Sequence, residues 1–225
     1  MFNKKIYIIA CSIFLSAFFS PVTSYGKNGG EKYNNVKEKS SKAQKVAEDL
    51  YDLTLEENFE RPHLGKYANK IAPFQKEQAK ALKREKFKTE LMRNGEVIVI
   101  TIPAGNLYLP NDTALCDAAS IYLRPFLKFL KTPDMYRLML VMHTDNTGTD
   151  NYTFNLSKTR VEAVFDWFDN QKINTDFIIP YALGGSEPML SNNSSVNRAE
   201  NRRLEIYIVP GKAMIEMAKK GTITL

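Results

Sequence analysis

The run VMHTDNTGTDNYTFNLSKTR, residues 141–160, opens as an apolar strand and closes as an amphipathic helix. In and after its polar turn it carries His143, Asp145, Asp150 and Arg160. His143 and Asp145 stand at i and i+2, on one side of an extended chain. Asp145 lies where the strand runs out. Arg160 lies about three helical turns into the next element, close enough for its long side chain to reach back to the sheet edge. A carboxylate and a guanidinium held apart by rigid elements suit a zwitterion, the carboxylate taking an ammonium and the guanidinium a carboxylate in a bidentate pair. Main-chain N–H groups at the helix start favour an anion there. The competing reading is structural: Asp145 caps the turn and Arg160 decorates the helix surface. As charged groups, both are expected to keep their heads in water, so replacing either should cost little stability.

A second polar cluster, SNNSSVNRAENRRLEIYIV (residues 191–209), sets Arg198, Asn201, Arg202 and Arg203 before a strand. It reads either as a charged turn or as further donors for an acidic ligand. Catalysis finds no complete set. The other histidine, His63, is remote in sequence, and no G-x-S-x-G elbow, H-E-x-x-H, Walker loop or Rossmann glycine fingerprint is present. Cys116 falls on the inner face of a helical pattern, where a thiol is inert. No catalytic residue, metal site or cofactor is therefore expected.

The elements that must position these residues follow from periodicity. Residues 43–58 read as a helix with Ala43, Val46, Leu50 and Leu53 on one face, and residues 74–92 as a second helix of strong helix formers ended by Asn94-Gly95. After Gly95 the pattern changes. EVIVITIPA is a strand; residues 111–131 are a helix capped by Asp112 or Thr113, with Leu115, Ala119, Leu123, Phe126 and Leu130 inward and Pro125 as a kink. YRLMLVMH is apolar on both faces, hence a central strand. Thr149 caps a helix over residues 150–171, with Val161, Val164 or Phe165, and Phe168 buried. DFIIPYAL is a strand weakened by Pro180. RLEIYIV alternates Leu204, Ile206 and Ile208 against Arg203, Glu205 and Tyr207, and a short helix follows Gly211. The order β-α-β-α-β-β implies an α/β two-layer sandwich, a mixed sheet with helices on one face, preceded by a helical extension.

Composition sets the frame. Residues 1–26 follow the plan of a secretory signal peptide: Lys4 and Lys5, an apolar run from Ile6 to Phe19, then small polar residues. That run is short for a membrane span, which needs about 20 residues. A mature start near Tyr25 to Lys27 is expected. IIAC resembles a lipobox, so lipidation of Cys11 is the alternative. Residues 27–93 form a polar linker and helical extension, and residues 94–225 the folded domain. Of the net charge of +6, the surplus sits in the extension: Lys and Arg outnumber Asp and Glu by 16 to 11 over residues 27–93 and are outnumbered 13 to 14 over residues 94–225. The domain thus lacks the basic stripe that nucleic-acid binding needs.

From about Val97 to Val209 the chain resembles the OmpA-like peptidoglycan-binding domain, the family of outer-membrane protein A C-terminal domains, peptidoglycan-associated lipoproteins and flagellar motor stator subunits. HTDNTG…Y…LSKTR, LGGSEPM (similar to G-x-G-E-x-x-P) and NRAENRRLEI (similar to G-R-A-x-N-R-R-V-E) carry the resemblance. It implies non-covalent binding of peptidoglycan through diaminopimelate of the stem peptide, held by Asp145 and Arg160, assisted by Asn201 and Arg202, with Thr144 and Thr153 as supports. Met142, Thr153, Ala182 and Asn197 depart from the family pattern. The expected location is the periplasm, associated with the outer membrane. No β-barrel is expected before the domain, and residues 27–93 are expected to serve as spacer or docking segment for outer-membrane or membrane-complex proteins. The alternative function is a periplasmic scaffold with weak or no wall binding.

Overall fold

The sheet is built around its last strand. A computed structural model describes residues 67–223. The signal peptide, the linker, the helix expected over 43–58 and Cys11 lie outside the described residues. Helix α1 (Ala68–Arg84) is followed by strands β1 (Lys88–Met92) and β2 (Val97–Pro103), then by α2 (Ala119–Leu123) running into a 3-10 helix (Arg124–Leu130). Strand β3 (Tyr136–His143), helix α3 (Asp150–Asp169), strand β4 (Ile178–Gly184), helix α4 (Ser195–Asn201), strand β5 (Arg203–Pro210) and helix α5 (Lys212–Lys220) complete it. The five strands lie in the order β1-β2-β5-β3-β4. β5 is antiparallel to both neighbours, and β3 and β4 are parallel, joined across α3.

Register decides where the chemistry can be. Arg203, the first residue of β5, pairs with Pro103 on one side and His143 on the other, and His143 in turn pairs with Gly184. The ends of β2, β3 and β4 and the start of β5 therefore share one edge, and the loops leaving it converge. Pro180 is accommodated because β4 is an edge strand, where a missing N–H breaks no ladder.

One face of the sheet carries the main core. Ile98, Ile100, Leu140, Leu204, Ile206 and Ile208 meet Ile71 and Leu82 of α1, Phe126 and Phe129 of the 3-10 segment, Val161, Val164 and Phe168 of α3, and Met214 of α5. Helix α1 lies within the segment set apart as an extension, yet it shares this core. The opposite face bears a smaller buried cluster of Val97, Val99, Met139, Ile179 and Val209.

Three elements differ from the sequence expectation, the first being helix α4, where a polar turn was expected and Ser194 caps a helix by accepting from Asn197 N. The helix expected over 74–92 stops at Arg84, and residues 88–92 are a fifth strand. Lys86 turns the chain with φ of 68°, and pairing from Lys88↔Thr101 to Met92↔Val97 satisfies the backbone of a segment whose local propensity is helical. The helix expected over 111–131 is one short α-helix and a 3-10 stretch with Pro125 in its first turn. Residues 107–116 are irregular, closed by a Tyr108↔Leu115 bridge.

Candidate functional site

Asp145 lies just past the end of β3, and the neighbouring backbone fixes it. Thr144 N donates to Gly184 O at 2.8 Å, which ties the loop to β4, while the Thr144 hydroxyl donates to Asp145 O at 2.9 Å. One Asp145 carboxylate oxygen accepts from Thr147 N at 2.9 Å; the other accepts from Arg202 Nη1. The residue is only 6% exposed. Burial works to raise its pKa, but the Arg202 guanidinium and the Thr147 N–H more than offset this and hold it below the usual aspartate value.

Glycine makes that approach feasible. A Cβ at Gly185 would stand 2.8 Å from Asp145 O, and one at Gly184, which has φ of +54°, 2.9 Å from Phe154 N. Gly184 N donates to Ser157 Oγ at 2.9 Å, so β4, α3 and the Asp145 loop are locked together.

Arg160 comes from α3, whose Thr149 side chain caps the first turn by accepting from Tyr152 N. Thr153, Ser157, Arg160, Val161, Val164 and Phe168 form its buried face at helical spacing. Arg160 Nε and Nη2 both donate to Asp112 O, at 2.9 and 2.7 Å, and the guanidinium lies 4.8 Å from the centre of the Tyr108 ring. Tyr108 OH donates to Arg160 O at 2.6 Å, closing the arrangement. Arg160 is 5% exposed. Burial lowers its pKa and so does nearby Arg202, while Tyr108, Tyr152 and Asp112 act the other way; an arginine remains charged throughout.

The expectation that Asp145 and Arg160 keep their heads in water is thus overturned. Both are buried because each has internal partners that replace its hydration. Arg202, at the end of α4, has a side chain 42% exposed and pairs with Asp145, and its charge also acts on Arg160.

The other expected residues are placed differently. Asn201 is fully buried: its Oδ1 accepts from Leu190 N, and its Nδ2 donates to Leu190 O and Asn192 Oδ1. It holds the 188–192 loop. Thr153 is 4% exposed and donates to Asp150 O within its own helix. The seat of Arg160, Tyr108 and the Asp112 carbonyl, was not foreseen; both sit in irregular chain without periodicity, and only the polar-aromatic character of the segment hints at them.

On the opposite face, at the same edge, His143 is 1% exposed and 3.6 Å from Glu205 Oε2, an ion-pair distance, and neither ring nitrogen has a hydrogen-bond partner. Glu205 accepts from Arg203 Nε at 2.7 Å and from Tyr207 OH at 2.6 Å. Among the described residues, no group of three or more His, Cys, Asp and Glu side chains is arranged to hold a metal.

Residues 107–202 match the OmpA family. YiaD of Escherichia coli (strain K12) is 26% identical over 118 residues, 52% of this chain and 54% of YiaD. The peptidoglycan-binding protein ArfA of Mycobacterium bovis (strain ATCC BAA-935 / AF2122/97) is 35% identical over 81 residues, 36% of this chain and 24% of ArfA. The chain thus spans about half the length of the first and a quarter of the second. The crystal structure of a MotB-like protein from Desulfovibrio vulgaris superposes with a TM-score of 0.55 at 19% identity, covering 63% of this chain and 94% of that one, a likeness of fold.

Proposed function

Taking residues 107–202 as a domain of the OmpA family, we propose that the chain is a non-enzymatic peptidoglycan-binding protein of the cell envelope. One observation carries the reading: at one sheet edge the buried carboxylate of Asp145, in the loop after β3, pairs with the Arg202 guanidinium from the end of α4, and the charge of Arg202 acts on the buried Arg160 of α3. This arrangement suits a ligand that bears an amine and a carboxylate on one carbon. In peptidoglycan that is the free end of diaminopimelate in the stem peptide. Asp145 takes the ammonium, and Arg202 and Arg160 face the carboxylate. Similarity to the peptidoglycan-binding protein ArfA supports the same class of ligand. Thr144 and Asn201 serve the site by shaping its loops. The segment before the domain is the part we assign to outer-membrane or membrane-complex partners.

Co-sedimentation with purified sacculi tests this. Asp145→Ala should reduce the bound fraction sharply, because losing one partner of a buried charge pair costs about 2–5 kcal/mol. Exposed Lys158, on another face of α3, is the control, and Lys158→Ala should bind like wild type. If Asp145→Ala melts cooperatively and still sediments like wild type, the site is wrong and a scaffold role replaces it.

A further inference from the structure

The second face of the sheet is buried, yet among the described residues no helix packs apolar side chains on it. Val97, Val99, Met139, Ile179 and Val209 are each at most 7% exposed, and the half-buried Tyr181 and Tyr207 that pack with them also belong to strands. The buried apolar side chains of α1, α3, α5 and the 3-10 segment lie in the other core. A sheet face left open to water normally carries polar side chains. This one also buries Arg137, Arg203 and Glu205, at 8, 4 and 9% exposure, although such groups are seldom shielded so fully. The loop after β4 meets this face at its rim, where Arg203 Nη1 donates to Glu187 O at 3.4 Å. Neighbours standing side by side in one layer cannot hide the centre of a face from water. The burial is complete within a single chain, so a second copy is not what supplies it.

Exposure maps the cover. Every residue of β3 that faces this side is buried, from Arg137 through Met139 and Val141 to His143, a column about 20 Å long. On β1, by contrast, Lys88, Glu90 and Met92, which pair with Thr101, Val99 and Val97, are exposed. The cover therefore lies over the centre of the sheet and stops short of the β1 edge.

Residues 43–58 match that footprint. Their sequence predicts a helix about 24 Å long with Ala43, Val46, Leu50 and Leu53 on one side. They carry Glu48, Asp49, Asp52, Glu56 and Glu57 against Lys45 alone, opposite in sign to Arg137 and Arg203. Residues 59–67, with Pro62 and Gly65 to turn the chain, can span up to about 30 Å before α1 begins at Ala68. Layers packed on the two faces of a sheet lie about 20 Å apart, so this stretch can round the sheet edge.

We infer that residues 43–58 dock as a helix on the second face of the sheet, over its central strands, and complete the domain as a third layer. The domain then begins near Ala43, and residues 27–42 are the tether left to reach envelope partners.

Photo-crosslinking of the full chain tests this. A benzophenone side chain at Ala47 or Asp49, one on each border of the apolar stripe, should link within the chain to second-face residues of β2, β3 or β5. The same probe at Glu48, on the opposite side of the helix, should not. Leu50→Ala and Leu53→Ala should each lower Tm by at least about 4 °C, the loss for truncating a buried leucine, and Glu48→Ala by less than about 2 °C. Leu50→Val and Leu53→Val keep the comparison if the alanine variants do not fold. Links to α1, α3 or α5, links between two chains, no link from either border position, or leucine variants that melt like Glu48→Ala would each overturn the inference.

Discussion

Replacing Arg160 by alanine takes two donors from the Asp112 carbonyl and the cation from the Tyr108 ring, and leaves a gap in the inner face of α3. Charge-assisted hydrogen bonds of this kind contribute about 1.5–3 kcal/mol each, so Arg160→Ala should lose about 3 kcal/mol. In a domain of this size that lowers Tm by about 6–12 °C, which calorimetry would register. Tyr108→Phe is milder: it keeps the ring and removes only the bond to the Arg160 carbonyl. It should cost about 1 kcal/mol and leave sacculus binding intact. Asp145, Arg160 and Arg202 could be found in the sequence because each sits a fixed step from the end of a periodic element. Their burial could not, because it depends on a carbonyl and a tyrosine in a segment whose path follows no period.

Loops and elements bring these residues together. Gly185→Ala would drive a methyl group toward the Asp145 carbonyl, and the loop must move or the strand end must shift. The expected result is a loss of about 1–3 kcal/mol in a denaturant titration and a larger proportional loss of sacculus binding, since the shift falls on Asp145 itself. Asn201→Ala would release the backbone at Leu190 from both sides. That unsatisfied pair should cost about 1–3 kcal/mol and raise hydrogen exchange at Leu190, with Asp145 untouched. Strands β2, β3 and β5 and helix α3 were readable because their apolar periods agree with their final environments. Strand β1 was not: KTELM follows a run of helix formers, and what makes it extended is the partner strand beside it, which local propensity does not report.

For the molecule as a whole, the buried cluster at Glu205 ties stability to acidity. Burial alone would raise the Glu205 pKa; His143, Arg203 and the Tyr207 hydroxyl reverse this and bring it down to about 2, from an ordinary 4.5. A depressed carboxylate contributes stability above its unfolded pKa and loses it as pH falls through the folded one. The window therefore runs from about pH 4.5 to about pH 2. The contribution at neutral pH is about 3 kcal/mol. Thermal melts of wild type and Glu205→Gln should differ most above pH 5 and converge toward pH 2; a gap that stays constant would exclude the linkage. The sheet order has a consequence of its own in time. The strand between β2 and β3 is the last one made: Ile98 must wait for Ile208, about 110 residues later, before its ladder can close. Until then, β1 with β2 and β3 with β4 are two separate pieces that lack the strand that joins them. Such distant pairings close slowly. A ribosome would therefore release most of this chain before the sheet could form, which keeps it threadable through a narrow channel until the final strand is supplied.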